Sequence, residues 1–390
     1  MRRRVFENCR DRYATDMTHR VVPNVFATLA LVACAACGDS VPATTDGGGP
    51  GVDGGRSDGG PRVDAGGGAD GGPRADGGGV VVDGGGVADV LAALYPGDVG
   101  LAGDPSVVWT EDFEEGSLAI YQARYDQVQN PGGHTLVPDV PAASRGAASV
   151  RLTAGGAAGS ATDFYKSLSP GFDELYIRYY AKYEAGVTWH HTGVWVGGYD
   201  PPMSYPSPMA GLRPNGDDRF SISLEPIGAG TNVRLDFYNY WMTMHSWMET
   251  PMGSTAYYGN ALVHDPSLRA PDDTWFCVEL HIKINPDPAS AAGAELGLWI
   301  NDTSVQQFSD TTPLGYWVRD KFCPDAATGT ECTMYRPTSP TLEPLDLRFR
   351  SVGSLKLNSF WPQNYITEGG AGNVWYDDMV VATRRVGCIR

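Results

Sequence analysis

The chain has 390 residues, with 29 Lys and Arg set against 46 Asp and Glu, so its formal net charge is −17 at pH 7. An acidic surplus of that size repels phosphate backbones and excludes nucleic acid as an expected partner. The length would hold two average domains, but residues 39–86 contain almost no large apolar residue and cannot bury a core, so one domain of about 300 residues is expected.

Residues 1–36 read as a signal peptide. An apolar run over residues 21–36 is too short to span a membrane as a stable helix. It contains Leu31-Val32-Ala33-Cys34, which resembles the lipobox where bacterial signal peptidase cuts before a lipidated cysteine. Cys34 is therefore the expected anchor, with Cys37 as its rival. Glu7, Asp11 and Asp16 are unusual in the leading part of such a peptide, which points to Met17 as the start and Arg20 as the positive charge. The reading places the protein in the bacterial envelope, at the cell surface or in the periplasm, touching membrane through its lipid only.

Residues 37–90 follow as a linker in which Asp46, Asp53, Asp58, Asp70, Asp76 and Asp83 each precede two glycines. Glycine freedom and Asp repulsion favour a solvated, disordered spacer. The irregular spacing and the missing apolar residue argue against a calcium-loaded β-roll.

Residues 91–390 form the expected all-β domain. Strands are predicted over 107–113, 118–124, 148–153, 175–183, 188–197, 219–224, 232–240, 275–285, 295–300, 304–308, 345–352, 354–360 and 374–383. With no helical crossovers between them, two packed antiparallel sheets are the natural outcome. Alternation places Leu175, Ile177 and Tyr179 on one face and Tyr176, Arg178, Tyr180 and Lys182 on the other. In the same way Val278, Leu280, Ile282 and Ile284 point to a core, while Glu279, His281, Lys283 and Asn285 point away. Such polar, aromatic-bearing outer faces can line a sugar groove or simply meet solvent.

Cysteine usage fits an exported protein. Cys323 and Cys332 bracket a short polar loop, and Cys277 with Cys388 would tie the C-terminus into a sheet. Free buried thiols are the alternative; a zinc site of all four thiolates is disfavoured because the domain has no Cys-x-x-Cys.

Several motifs then follow in order: Glu111-Asp112-Phe113-Glu114-Glu115-Gly116, Trp275-Phe276-Cys277-Val278-Glu279-Leu280, Lys283-Ile284-Asn285, Gly297-Leu298-Trp299-Ile300-Asn301-Asp302, and residues 374–383 with Trp375, Tyr376, Asp377 and Asp378. From Val107 onward this succession resembles the concanavalin A-like jelly-roll polysaccharide lyases that act on alginate and glucuronan. The turn carries Asn301-Asp302 where the family usually has Asp-Gly. The stretch Trp189-His190-His191-Thr192-Gly193 stands where the family has a Lys-bearing segment. The resemblance implies a structural calcium between first and last strands, held by Glu114 and Asp377, with Asp378 as a substitute for the latter.

Three other chemistries are disfavoured by residue type. The paired-carboxylate motif of jelly-roll glycosidases, Glu-x-Asp-x-x-Glu, is absent. His190 and His191, if on a strand, face opposite ways and make a poor zinc pair. No Gly-x-Ser-x-Gly elbow is present.

β-Elimination on a uronate needs an acid, a base and a group that neutralises the sugar carboxylate, and it needs no catalytic cofactor. Tyr240 is cast as acid or base, its pKa drawn down by a nearby cation, and His191 as its partner. Arg178 and Lys283 are cast as neutralisers, with Tyr238 and His281 as further catalytic candidates. Tyr180, His245, Trp241 and Trp361 are expected to bind the glycan. The competing reading is a lectin-like module that binds a polysaccharide without cutting it, stacking sugars on Trp241, Trp247 and Trp361; under either reading a monomer is expected. An acidic domain accepts an anionic glycan only if its groove is positive.

Overall fold

The computed structural model describes residues 90–154, 161–203, 208–230, 233–247, 256–366 and 371–390. The expected signal segment, the Cys34 anchor and all of the expected linker but Val90 lie outside the described residues.

Two antiparallel sheets carry the domain. The first has eight strands: β1 (Val107–Glu111), β3 (His134–Val137), β4 (Ser149–Thr153), β6 (Glu174–Tyr183), β10 (Phe276–Lys283), β11 (Glu295–Ile300), β12 (Thr303–Ser309) and β17 (Asn373–Ala382). Their order is β12-β11-β10-β6-β17-β4-β3, with β1 also pairing to β17. The second sheet has six strands in the order β2 (Gln127–Gln129), β5 (Thr162–Phe172), β16 (Leu357–Asn364), β7 (Gly193–Tyr199), β8 (Arg219–Ile227) and β9 (Arg234–Phe237). A small third sheet joins β14 (Lys321–Pro324), β13 (Leu314–Val318) and β15 (Glu343–Pro344).

Period-two patterning explains the packing. On β6, Leu175, Ile177 and Tyr179 stand opposite Ile282, Leu280 and Val278 of β10, and all six are buried in the main core. Val194, Val196, Ile222, Leu224, Leu235 and Phe237 supply the facing layer from the second sheet. Together these make the expected sandwich.

Two predicted strands are corrected. The segment predicted over 118–124 is a short helix (Leu118–Gln122), because the Ser117 hydroxyl caps it by accepting the Ile120 N–H at 3.2 Å. The segment predicted over 345–352 keeps its alternation, with Leu345, Leu347 and Phe349 buried, but joins no ladder. Side chains satisfy its backbone instead: Asn285 Oδ1 accepts the N–H groups of Phe349 and Arg350 at 2.9 and 3.1 Å.

The outer face of the first sheet is not an open groove. The turns just before β1 and the C-terminal tail lie across it, so Arg178 is fully buried and paired with Asp98. The Tyr180 hydroxyl accepts the Ile389 N–H at 3.0 Å, and Glu279 accepts the Val386 N–H at 2.6 Å. A Cys277–Cys388 disulfide pins the tail, and a Cys323–Cys332 disulfide closes the loop after β14.

Candidate functional site

The face of the second sheet that points away from the core gathers aromatic and polar side chains by register. Trp195 on β7 is opposite Trp361 on β16 and Ser223 on β8, and Tyr240 bridges Ser221 through two backbone hydrogen bonds of 2.8 and 2.9 Å. The Trp195 and Trp361 rings stack 5.6 Å apart at 9°, with Tyr238 and Tyr240 centred 6.1 and 6.5 Å from Trp195. The Tyr240 hydroxyl donates to that of Tyr238 at 3.5 Å.

Glu225 ends this row on β8, and His191 sits over it. The His191 N–H donates to Glu225 Oε2 at 3.1 Å, and His191 Nδ1 lies 3.6 Å from the same oxygen. Gln363 Nε2 donates to the His191 carbonyl at 2.6 Å. His191 has a left-handed backbone, φ 69°, so the expected alternation fails and the His190 and His191 rings lie 3.6 Å apart. Both histidines, Tyr238 and Tyr365 are partly exposed, whereas Glu225, Trp195, Trp361 and Tyr240 are buried beneath them.

Burial sets the protonation states. It raises the Glu225 carboxyl to about 8, against the opposing charge of His190 and the His191 N–H. It raises the Tyr240 hydroxyl to about 12 and that of Tyr238 well above the usual tyrosine range. The expectation that a cation lowers Tyr240 is corrected: burial dominates, and the neighbouring carboxyl is Glu225, which pushes upward.

The predicted site residues divide into two sets. His191, Tyr238, Tyr240 and Trp361 meet on the second sheet. Arg178, Tyr180, His281 and Lys283 lie on the outer face of the first sheet, across the core, and do not join them. There His281 stacks on Tyr176 at 4.2 Å and reaches Glu174 at 2.8 Å, while Lys283 pairs with Glu295 at 2.8 Å. Arg178 and Lys283 therefore cannot neutralise a sugar held beside Tyr240. Trp241 is buried with its indole N–H on the Asp346 carbonyl at 2.8 Å, so it offers no stacking face to solvent. His245 is exposed and stacks on Trp317 at 3.9 Å and 5°. Glu225, Trp195, His190 and Gln363 were not anticipated. The parity of Ser221, Ser223 and Glu225 on an alternating strand was the available signal for Glu225.

The expected calcium residues lie just after the end of β1 and at the middle of β17. Glu114 lines a cavity of about 240 Å³ with Asp98, Glu111, Asp112 and Asp378, and its Oε1 accepts the Ala147 and Ala148 N–H groups at 2.6 and 2.8 Å. A register shift after Asp377 puts Asp378 into a left-handed bulge, φ 43°. Asp377 Oδ2 and Asp378 Oδ2 are buried without a hydrogen-bond partner, and burial with neighbouring carboxylates raises both groups. Orphaned carboxylate oxygens of this kind fit a hard divalent cation. Glu111, Asp112 and Glu115 also cluster within metal-binding reach, but the Arg124 guanidinium already spans Glu111 and Glu115.

No protein-family model matches the chain, and no curated protein matches it in sequence. Solved structures do. An alginate lyase Aly36B variant in complex with alginate tetrasaccharide is 11% identical, with 73% of this chain and 99% of that one covered, at a TM-score of 0.46. The PL-14 alginate lyase from Aplysia kurodai is 14% identical over 71% and 99%, at 0.46. The endo-β-1,4-glucuronan lyase from the fungus Trichoderma reesei is 12% identical over 71% and 96%, at 0.39. The chain is an antiparallel β sandwich, and the solved structures similar to it include alginate and glucuronan lyases.

Proposed function

We propose that this protein acts on a polysaccharide at the aromatic face of the second sheet and cleaves a uronate-containing glycan by β-elimination. The observation that carries the reading is the His191–Glu225 pair placed beside Tyr238 and Tyr240 above two stacked tryptophans. Tyr240 keeps its proton at neutral pH and serves as the acid that meets the leaving oxygen; His191 is the base that removes the proton next to the sugar carboxylate. Glu225, neutral below about pH 8, orients His191 without adding a charge that would repel an anionic sugar. Incubation with a panel of uronate polymers tests this through the ultraviolet absorbance of the unsaturated product. Silence on every polymer, with glycan binding retained, transfers the site to the lectin reading, which the deep burial of Tyr240 favours.

A calcium held by Glu114, Asp377 and Asp378, with backbone carbonyls completing its shell, joins the first and last strands and takes no part in the chemistry. Export with a lipid on Cys34 accounts for the disulfides, which persist in oxidising compartments.

A further inference from the structure

We infer that Arg213, Tyr257, Tyr258, His245 and Trp317 form a saccharide subsite beside Tyr238 and Tyr240, and that the Arg213 guanidinium there takes the carboxylate of an acidic sugar unit. This rests on the polysaccharide reading above and names the group that selects an anionic chain.

Backbone bonds tie the subsite to the candidate site. The Asn239 and Asn260 backbones pair at 2.9 and 3.1 Å, and Asn260 holds the His245 backbone through its side chain at 2.7 and 2.9 Å. Gly259 lies flat under Tyr238, where a Cβ would stand 2.3 Å from the ring. The Gly211 N–H donates to the Tyr257 carbonyl at 2.7 Å, which brings the Arg213 loop alongside. The surface that results is aromatic, with His245 stacked on Trp317 and Tyr258 42% exposed. Sugar rings present C–H faces that pack on such planes.

Charge supplies the specificity. Arg213 is exposed, its guanidinium carbon lies 5.3 Å from the Tyr257 ring centre, and among the described residues it has no carboxylate partner. Arg219, Lys166 and Arg348 each have a carboxylate partner, in Asp218, Asp126 and Asp346. Contact with the Tyr257 ring orients the planar fork and leaves its donors for a bidentate carboxylate. In a chain of net charge −17, one uncompensated arginine next to a sugar platform makes the local field favourable to an anion. His245 does not compete for that anion, because desolvation by the stacked Trp317 ring and its surroundings and the Arg213 charge both hold its pKa down.

The test is titration calorimetry of the full chain with a polyuronate and with the same polymer after its carboxyl groups are reduced to alcohols. Arg213→Met is expected to weaken polyuronate binding about tenfold and to leave the reduced polymer unaffected. Arg213→Lys, which keeps the charge but not the fork, falls between them. An exposed position leaves the fold intact, which an unchanged Tm confirms. If the parent binds polyuronate and Arg213→Met binds it equally well, or loses both polymers equally, the assignment of Arg213 is overturned while the polysaccharide reading stands. If the parent binds neither polymer, the reading itself falls and takes the subsite with it.

Discussion

At the scale of single residues, burial keeps both Glu225 and Tyr240 protonated at neutral pH. Glu225 holds its proton up to about pH 8 in the folded chain but releases it near 4.5 when unfolded, so the folded state binds more protons between those values. Stability conferred by the neutral form is present below pH 4.5 and is lost as pH rises through 8. Glu225→Gln cannot ionise and still accepts the His191 N–H, so its Tm should exceed the parent's by a margin that grows from pH 5 to pH 8. Parallel melting profiles would remove Glu225 from this role. Tyr240→Phe deletes only a hydroxyl that meets Tyr238, so the fold should persist while turnover on a uronate polymer drops by about a hundredfold. Unchanged turnover would refute the assignment of the acid. Strand parity alone made Tyr238 and Tyr240 legible as a pair. It misplaced Arg178 and Lys283, because parity says which residues share a face and not which of two sheets, on either side of a core, that face belongs to. His191 was legible as a candidate but its contact with Glu225 was not, since a left-handed backbone leaves no mark in an alternating pattern.

At the scale of elements, β17 links the ends of the domain. Its first half pairs with β4, its second half with β1, and at the bulge between them Asp377 and Asp378 each keep a buried carboxylate oxygen without a hydrogen-bond partner, Asp378 lining a cavity with Glu114. A cation there would relieve their repulsion and bind only the folded form, so added calcium should raise Tm and a chelator lower it. Asp378→Asn should abolish that response; superimposed melts with calcium and with chelator would rule the site out. The Cys277–Cys388 bridge acts on the same sheet. It spans 111 residues, so replacing both cysteines by serine should destabilise the fold by about 4 kcal/mol, measured by denaturant unfolding. A loss near zero would mean that the hydrogen bonds of the tail to Glu279 and Tyr180 suffice without it. Strands β6 and β10 were legible because their apolar periods are uninterrupted, and both cysteine pairs because each was marked by its position, one bracketing a short loop and one joining a strand to the C-terminus. Strand β5 and the small third sheet were not, as Pro170, Gly171 and Pro313 break the pattern and only tertiary pairing selects the extended form.

At the scale of the whole molecule, charge and anchoring bear on each other. An acidic body repels the anionic surface of a membrane, so residence there needs a covalent lipid and a spacer that keeps the domain clear of the headgroups. A single acyl chain gives marginal binding, and the diacylated cysteine of a bacterial lipoprotein gives a stable anchor. The sequence Leu31-Val32-Ala33-Cys34 supplies the small and branched residues that a lipoprotein signal peptidase accepts. The mature protein should therefore begin at Cys34 and partition into detergent. Mass spectrometry of its N-terminal peptide should find two acyl chains on that residue. Cys34→Ser should leave the protein in the aqueous phase with its fold unchanged, because every cysteine the folded domain uses lies from Cys277 onward. Acyl chains found on Cys37 would move the anchor to that residue, and an unprocessed N-terminus upstream of Cys34 would end the lipoprotein reading.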